Sequence, residues 1–339
     1  MDKQAIIRIG QPKAGSTSIS ALIKNNKKTL LEKGVWSPMS NCLPLMEKIA
    51  FELNVKEFNF PQQNGSERVK RRVDLLTQRK HTPNYETLFL TTEVIWGRIA
   101  NQPFKRQKTA KGAERLLTQL KETFNDHKCQ LLIHLRRADL SFESHYGQHV
   151  KSGNSTSLED FTNRLLLSDM PDNNESFLRL ASKVLGRANI IIKPFEKAQF
   201  KNNDLLDDTL SILGITEKVN DLARDAKNER LHGALIPVLR MNYAKGLKRL
   251  SRTNTKNLSR LVSQSLNIPD NRLYYDHPQR QQILAKFQHF YHFVSEYFLE
   301  GGPLFTNLPH EMPRPYKYSK DELSKVCELF DNFTKQLEN

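Results

Sequence analysis

The stretch "IIRIGQPKAGSTSIS", residues 6–20, leads from a short apolar run into a loop that contains two glycines. This pattern predicts a buried strand, a turn from Gly10 to Gly15, and a helix that begins at about Ser16. The two glycines have the spacing of the nucleotide-triphosphatase loop G-x-x-x-x-G-K-[ST], in which lysine directly follows the second glycine. Here that position is Ser16, and Lys13 stands two residues before Gly15. We therefore expect the loop to hold something other than ATP.

Three more apolar runs have the length of buried strands: "LFLTTE" (88–93), "QLLIHLRR" (130–137) and "NIIIKPF" (189–195). Together with "AIIRIG" (5–10) they alternate with longer amphipathic segments. That alternation predicts a doubly wound α/β fold, in which helices cover both faces of a mainly parallel sheet. Ligands of such sheets bind outside the carboxyl ends of the strands, so we expect the site there.

Two polar regions interrupt this plan, at about 38–87 and 215–290, and both are predicted to be helical insertions. The second contains the basic stretch "LKRLSRTNTKNLSRLV". Since the sequence has no internal repeat and no obvious linker, residues 1–339 are predicted to form one elaborated domain.

The charge balance indicates a polyanionic partner. Lys and Arg outnumber Asp and Glu by 52 to 37, which gives a formal net charge of +15 and a pI near 9.6. Nucleic acid, a phosphorylated cofactor and an acidic glycan all fit such a charge. Lysines on solvated helix faces that only improve solubility are the alternative.

The cysteines and the apolar runs bear on location. Cys42, Cys129 and Cys327 are too widely spaced for a disulfide framework or a zinc site, so a reducing compartment is expected. The amino-terminal apolar run is too short for a signal peptide, and no stretch approaches the ~18 apolar residues of a membrane span. The sequence predicts a soluble, cytoplasmic protein without a metal site.

The loop itself is a candidate anion site. Its backbone N–H groups, the dipole of the following helix, and the hydroxyls of Ser16, Thr17 and Ser18 would surround a phosphate-like group, with Lys13 reaching across it. An ordinary strand-to-helix turn also uses glycine and small polar residues, so the loop alone leaves both interpretations open.

A second motif follows the run 130–137, in "LIHLRRADLSFESHYGQHVK", residues 132–151. Arg136 at the strand end can pair with a phosphate, and Ser144, about two helical turns further on, can reach the same anion. A surface arginine and a helix serine would be the simpler interpretation of this motif taken alone. Its pairing with the loop favours a shared anionic ligand.

Both motifs resemble those of the sulfotransferases that use 3′-phosphoadenosine 5′-phosphosulfate (PAPS). "PKAGSTSI" is similar to the family's 5′-phosphosulfate loop, PK-[SA]-G-[TS]-T-x-[LI], in which lysine precedes glycine by two. The resemblance implies a P-loop-like three-layer fold and cofactor contacts from the residues of this loop: Lys13, Ala14, Gly15, Ser16, Thr17 and Ser18. "LRRADLSFESHY" is similar to the 3′-phosphate element, which implies that role for Arg136 and Ser144. Arg137–Ala138 departs from the polar residue and proline of many members.

The resemblance continues through residues 190–215 and fades in the last third of the chain. "IIIKPFEKAQFKNNDLLDDTLSILGI" looks like the segment "RPFE…GDL..DFL..LGI" of bacterial polysaccharide-modifying members, with lysine in place of the arginine. This implies a glycan hydroxyl as the acceptor, in a surface or exported polysaccharide or its precursor.

Sulfuryl transfer is an in-line displacement that needs positioning, charge compensation and a base, and it demands no metal. Lys13 is the candidate for stabilising the leaving group. Glu93 is the candidate base, because it follows the run 88–93 and "TTE" resembles the "SSE" of bacterial members. A structural glutamate paired with Arg98 is the alternative, and His145 and His149 are the next candidates for the base.

Two other functions compete with this one. A P-loop kinase would use the same loop, but the chain lacks a lysine after Gly15 and an obvious aspartate-bearing strand for Mg²⁺. A nucleic-acid-binding module would use the basic run 248–260, but aromatic residues for base stacking are not interleaved there. The sequence therefore favours a sulfotransferase, with no nucleic-acid partner.

Overall fold

In the computed structural model, the chain divides into two compact units, each assembled from separate segments. The first contains 1–136, 169–227 and 288–306, and the second contains 137–168, 228–287 and 307–339. The structure describes residues 3–38, 45–46, 48–49, 74, 83–92, 96–97, 104, 106–216, 222–223, 231–271, 273–306 and 312–338. The expectation that residues 1–339 form one domain stays a prediction.

A sheet of five parallel strands, ordered β2-β3-β1-β4-β5, forms the centre of the first unit. Its strands are β1 (Gln4–Arg8), β2 (Val35–Trp36), β3 (Thr87–Thr91), β4 (Lys128–Leu135) and β5 (Ile190–Pro194). All four predicted runs form strands, and the predicted parallel α/β sheet is confirmed. Strand β2 was not predicted, because two residues are too few to show a hydrophobic period.

Helices flank the sheet and build the second unit. In chain order they are α1 (Ser16–Asn25), α2 (Lys27–Glu32), α3 (Gln107–Thr123), α4 (Ala138–Lys151), α5 (Leu158–Leu166), α6 (Met170–Leu185), α7 (Leu205–Ile212), α8 (Leu235–Ala244), α9 (Arg252–Ser265), α10 (His277–Phe298) and α11 (Lys320–Glu338).

Successive residues of β1, β3 and β4 are buried, so both faces of the sheet are covered. On one face, Ile6, Phe89 and Leu132 join a core with the apolar sides of α1 and α7. The continuous apolar runs in the sequence therefore reflect burial on two sides of each strand.

The register of the strands brings their carboxyl ends to one edge of the sheet. Arg8 of β1 is opposite Thr91 of β3 and Leu132 of β4. Leu135, at the end of β4, is opposite Pro194 of β5. The loop after β1 and the residues after β4 consequently start from the same edge.

The buried carboxylate of Glu196 connects two segments of the first unit just after β5. Glu196 accepts hydrogen bonds from the backbone N–H of Thr306 at 2.7 Å, from the Thr306 hydroxyl at 2.9 Å, and from the Gln199 amide at 2.6 Å. These bonds attach the segment that ends at residue 306 to the end of the sheet.

The second unit is helical in the residues that the structure describes. Its core joins Tyr146 and Val150 of α4 to the buried sides of α8, α9 and α11. Within 215–290, the described residues contain helices and no strand, whereas most of the other predicted insertion, 38–87, lies outside the described residues.

A cluster of buried charges fixes α4 within the second unit. Arg280 donates to the carboxylates of Asp139 and Glu143, at 2.6 Å each, and Arg137 pairs with Asp139 at 2.8 Å. Glu143 also accepts from the backbone N–H groups of residues 274–275. Burial raises the pKa of Glu143, while Arg280 and these N–H groups act in the opposite direction. Each charge in the cluster has an opposite partner, as burial requires.

Two of the three cysteines lie among the described residues, and both are free thiols. Cys129 is buried in β4, and burial raises the pKa of its thiol to about 12. Cys327 is half-buried on α11, and Cys42 lies outside the described residues. None of the helices in the described part of the chain has the length and apolar character needed to cross a membrane.

Candidate functional site

The loop after β1 stays beside β4 before it turns. The backbone N–H of Ile9 donates to the carbonyl of Leu132 at 3.0 Å, and that of Gln11 donates to the carbonyl of His134 at 3.2 Å. The N–H of Ala14 then donates to the Gln11 carbonyl at 3.2 Å, which closes a tight turn. The sheet therefore determines where the loop begins.

Two residues of the loop have left-handed backbone angles. Lys13 has a φ of 68° and Gly15 a φ of 78°. Turns of this kind make backbone N–H groups converge into an anion-binding concavity. A Cβ atom at Gly15 would lie 2.2 Å from Leu205 and 3.0 Å from Phe195, so only glycine fits. Lys13 adopts the same conformation at a cost of about 1–2 kcal/mol.

Helix α1 begins at Ser16, as predicted, with Gly15 as its N-cap residue. No side chain caps this end, and its first turn contains no acidic residue. The first N–H groups of a helix have no partner within the helix, and the dipole makes this end positive. Ser16, Thr17 and Ser18 add hydroxyl groups to the same turn. The end of the helix is thus suited to an anionic group.

Arg136 lies against this loop from the end of β4. Its Nη1 donates to the carbonyl of Lys13 at 2.9 Å, and its backbone N–H donates to Oε1 of Gln11 at 2.9 Å. Its guanidinium carbon is also 5.7 Å from the centre of the Phe195 ring. The structure therefore brings together Lys13 and Arg136, which are 123 residues apart in sequence.

The other predicted site residues belong to the second unit or lie outside the described residues. Ser144, His145 and His149 lie on α4, where each is half-buried. Arg136 belongs to the first unit and Ser144 to the second, so their shared contact with one phosphate stays a prediction. Glu93 lies outside the described residues.

The environment of His149 is ordinary for a partly exposed histidine. Its Nε2 is 3.1 Å from the Thr156 hydroxyl. Burial, and then the charge of Arg164, lower the pKa of His149 below its usual 6.5. These contacts are with α5 and the segment between α4 and α5.

Sequence reasoning missed a polar pair beneath the loop, formed by Arg8 of β1 and His134 of β4. Arg8 is fully buried, its Nε donates to Nδ1 of His134 at 3.1 Å, and its Nη2 donates to the Ala14 carbonyl. Burial, and then the charges of Arg8 and Lys193, hold the pKa of His134 well below 6.5, so its ring is neutral and Nδ1 can accept. The signal in the sequence was one polar residue inside each apolar run, "AIIRIG" and "QLLIHLRR".

The described residues contain no group of three or more His, Cys, Asp or Glu side chains that could hold a metal ion. Comparison of the chain with protein-family models, with curated proteins and with solved structures found no match. The geometry of the site combines converging N–H groups, a lysine and an arginine, a set of groups suited to an anion.

The neutral state of His134 predicts a pH dependence of stability. In the unfolded chain, His134 takes up a proton at about pH 6.5, whereas in the folded protein its pKa is well below that value. The free energy of unfolding is therefore highest above pH 6.5 and decreases as the pH falls. We expect the free energy of unfolding of the wild type to fall below pH 6.5, relative to that of His134→Asn, by up to about 1.4 kcal/mol per pH unit.

Urea unfolding followed by tryptophan fluorescence between about pH 5 and pH 8 measures this difference, because both tryptophans, Trp36 and Trp96, belong to the first unit. Parallel pH curves for the wild type and His134→Asn would show that His134 is not held neutral.

Proposed function

We propose that this protein is a sulfotransferase with a P-loop-like fold, and that it transfers the sulfuryl group of PAPS to a hydroxyl group of a glycan. The observation that carries the proposal is the contact of Arg136 with the backbone of Lys13, 2.9 Å from nitrogen to oxygen. This contact connects the first motif, the loop that contains Lys13 and Gly15, with the second motif, which contains Arg136. These are the two elements that a nucleotide with phosphates at its 5′ and 3′ positions requires.

The loop fits the 5′ end of such a nucleotide. Its anion-binding face combines the uncapped start of α1, an acid-free first turn, and the hydroxyls of Ser16, Thr17 and Ser18. A triphosphatase lysine would extend from the helix, whereas Lys13 extends from the left-handed turn before it. This difference favours a sulfated phosphate over a triphosphate.

When bound, PAPS supplies an activated sulfuryl group: the bond from sulfur to the acceptor oxygen forms as the bond from sulfur to the 5′-phosphate oxygen breaks. Lys13 and the N–H groups of the loop offset the negative charge that develops on the departing phosphate. Arg136 and Ser144 hold the 3′-phosphate, so the nucleotide is fixed at both ends. No metal is required, because these cations and N–H groups offset the negative charge of the phosphates.

The acceptor hydroxyl must lose a proton, and we propose Glu93 as the base. The described part of this segment ends at Thr92, whose backbone N–H donates to the carbonyl of Arg8 at 2.8 Å, directly before the loop. Glu93 is the next residue in the sequence. Among the remaining candidates, His145 and His149 belong to the second unit.

The glycan part of the proposal rests on the resemblance of residues 190–215 to bacterial polysaccharide-modifying members. The formal net charge of +15 is suited to an anionic acceptor, because opposite charges raise the rate of encounter. We propose no role for nucleic acid.

The nucleotide product, adenosine 3′,5′-bisphosphate, is predicted to stabilise the protein more than ATP or ADP at equal concentration, because Arg136 and Ser144 recognise its 3′-phosphate. A ligand at 100 times its Kd stabilises by about 2.7 kcal/mol, which thermal unfolding detects. Ser144→Ala is expected to reduce the advantage of the bisphosphate over ADP. Equal stabilisation by ATP would favour the kinase instead.

Substitutions of Lys13 and Arg136 are predicted to impair sulfate transfer in different ways. Arg136→Ala removes a contact made before and during the reaction, so it should raise the KM for PAPS. Lys13→Ala removes charge compensation at the leaving group, so it should lower kcat by about 100-fold or more. Lys24→Ala, an exposed lysine in the last turn of α1, is the matched control. Normal rates in both loop variants would refute these roles.

Glu93→Gln is predicted to separate binding from chemistry. The variant keeps the shape of the side chain, so the affinity for adenosine 3′,5′-bisphosphate should be unchanged, while kcat falls by about 10²- to 10⁴-fold. The kcat of the wild type should also rise as the pH passes the pKa of the base, and this rise should be absent from the variant. If Glu93→Gln turns over like the wild type, the base is another residue, and His145 and His149 are tested next.

A further inference from the structure

We propose that Arg8 is a positioning residue, whose buried guanidinium holds the loop in its anion-binding form. The inference requires that the loop binds an anion, which the proposed sulfotransferase also requires. It does not depend on which anion is bound.

The backbone of the loop at Gly10 packs against the guanidinium of Arg8. A Cβ atom at Gly10 would lie 3.1 Å from Nη2 of Arg8 and 3.3 Å from its Cζ, closer than most real Cβ contacts. Gly10 and Arg8 are both buried. The first glycine of the loop thus leaves space for the arginine beneath it, which explains the residue type at this position.

The bond from Arg8 to the Ala14 carbonyl orients the next N–H group. The peptide bonds of the described residues are planar and trans, so the C=O and N–H of each point in opposite directions. With the Ala14 carbonyl directed at the guanidinium, the Gly15 N–H is directed away from it. Within the described residues, no backbone bond outside regular helices and strands uses the Gly15 N–H as donor. That group is therefore available to a ligand on the open side of the loop.

The adjacent peptide groups are fixed by other partners. The carbonyl of Lys13 accepts from Arg136, and the N–H of Ala14 donates to Gln11 within the turn. Arg8 and Arg136 therefore hold two successive carbonyls of the loop. Arg136 is half-buried, whereas Arg8 is fully buried, so Arg8 acts on a ligand through the backbone of the loop.

His134 keeps the guanidinium in place. Its side chain accepts from Nε of Arg8 at 3.1 Å, and its backbone carbonyl accepts from the N–H of Gln11 at 3.2 Å. One residue of β4 thus fixes both the arginine and the start of the loop. Since arginine does not lose its proton in proteins and His134 is held neutral, Nε of Arg8 stays a donor and Nδ1 of His134 stays an acceptor.

The test compares Arg8→Met and Arg8→Lys with a control that destabilises the same unit elsewhere. Asn26 is buried at the end of α1, and its side-chain amide bonds the N–H and C=O of Ala223. Asn26→Ala should lower the free energy of unfolding and leave anion affinity unchanged. Titration calorimetry with pyrophosphate and with adenosine 3′,5′-bisphosphate should give an affinity at least about tenfold weaker for Arg8→Met, and an intermediate value for Arg8→Lys.

A spectroscopic measurement reports on the loop itself. Ala14–Gly15 is the only Ala-Gly pair in the sequence, so labelling alanine carbonyl carbons with ¹³C and glycine nitrogens with ¹⁵N gives one correlated NMR signal. That signal contains the carbonyl bonded to Arg8 and the N–H proposed for the ligand. It should shift in the free protein in Arg8→Met, shift less in Arg8→Lys, and stay in place in Asn26→Ala.

The outcomes separate this inference from the proposed function. If pyrophosphate binds and both Arg8 variants weaken it, the role of Arg8 stands, even where adenosine 3′,5′-bisphosphate proves no better than ATP and the sulfotransferase fails. Wild-type affinity and an unshifted signal in Arg8→Lys and Arg8→Met would overturn the role of Arg8 and leave the function standing. If Arg8→Met does not fold, Arg8→Lys decides by the same two readouts. A wild type that binds neither anion overturns both proposals.

Discussion

The buried guanidinium of Arg8 is the interaction on which the loop depends. A charge removed from water must be surrounded by hydrogen-bond acceptors, because an uncompensated one costs many kcal/mol. Arg8 finds one acceptor on β4 and another in the loop, the carbonyl of Ala14. The strand register fixes the first, and Arg8 then imposes the second. In this way the geometry of the sheet is transmitted to a loop that would otherwise have many conformations.

The second unit uses a buried arginine differently. Arg280 binds the carboxylates of Asp139 and Glu143, so its charge is neutralised where it lies. Through these ion pairs, Arg280 stabilises the position of α4 within the second unit. The bonds of Arg8 to His134 and Ala14 instead join a strand to the loop that follows β1. Arg8 thus sets the conformation of the part of the first unit best suited to an anion.

The sequence predicts the sheet well, because burial on both faces leaves continuous apolar runs, as in "LFLTTE" and "NIIIKPF". It also predicts the start of α1, since the turn residues at Gly15 and Ser16 act locally. The Arg8–His134 pair was not predicted, because its partners are 126 residues apart and each looks like an isolated interruption of a strand. The proximity of Arg136 and Lys13 was anticipated from their places at strand ends and from the resemblance of the two motifs, but their direct contact was not. Spacing along the chain cannot show which residues after β1 and β4 meet.

The bonds between Glu196 and Thr306 have a consequence for how the protein is made. The carboxylate leaves the ribosome 110 residues before the threonine that binds it. At about 5–20 residues per second, translation takes roughly 5–20 s to cover that distance. All five strands are already synthesised by then, but the two bonds from Thr306 to Glu196 cannot form until Thr306 emerges. The sheet can therefore form early, while the corner beyond β5 is completed only late in translation.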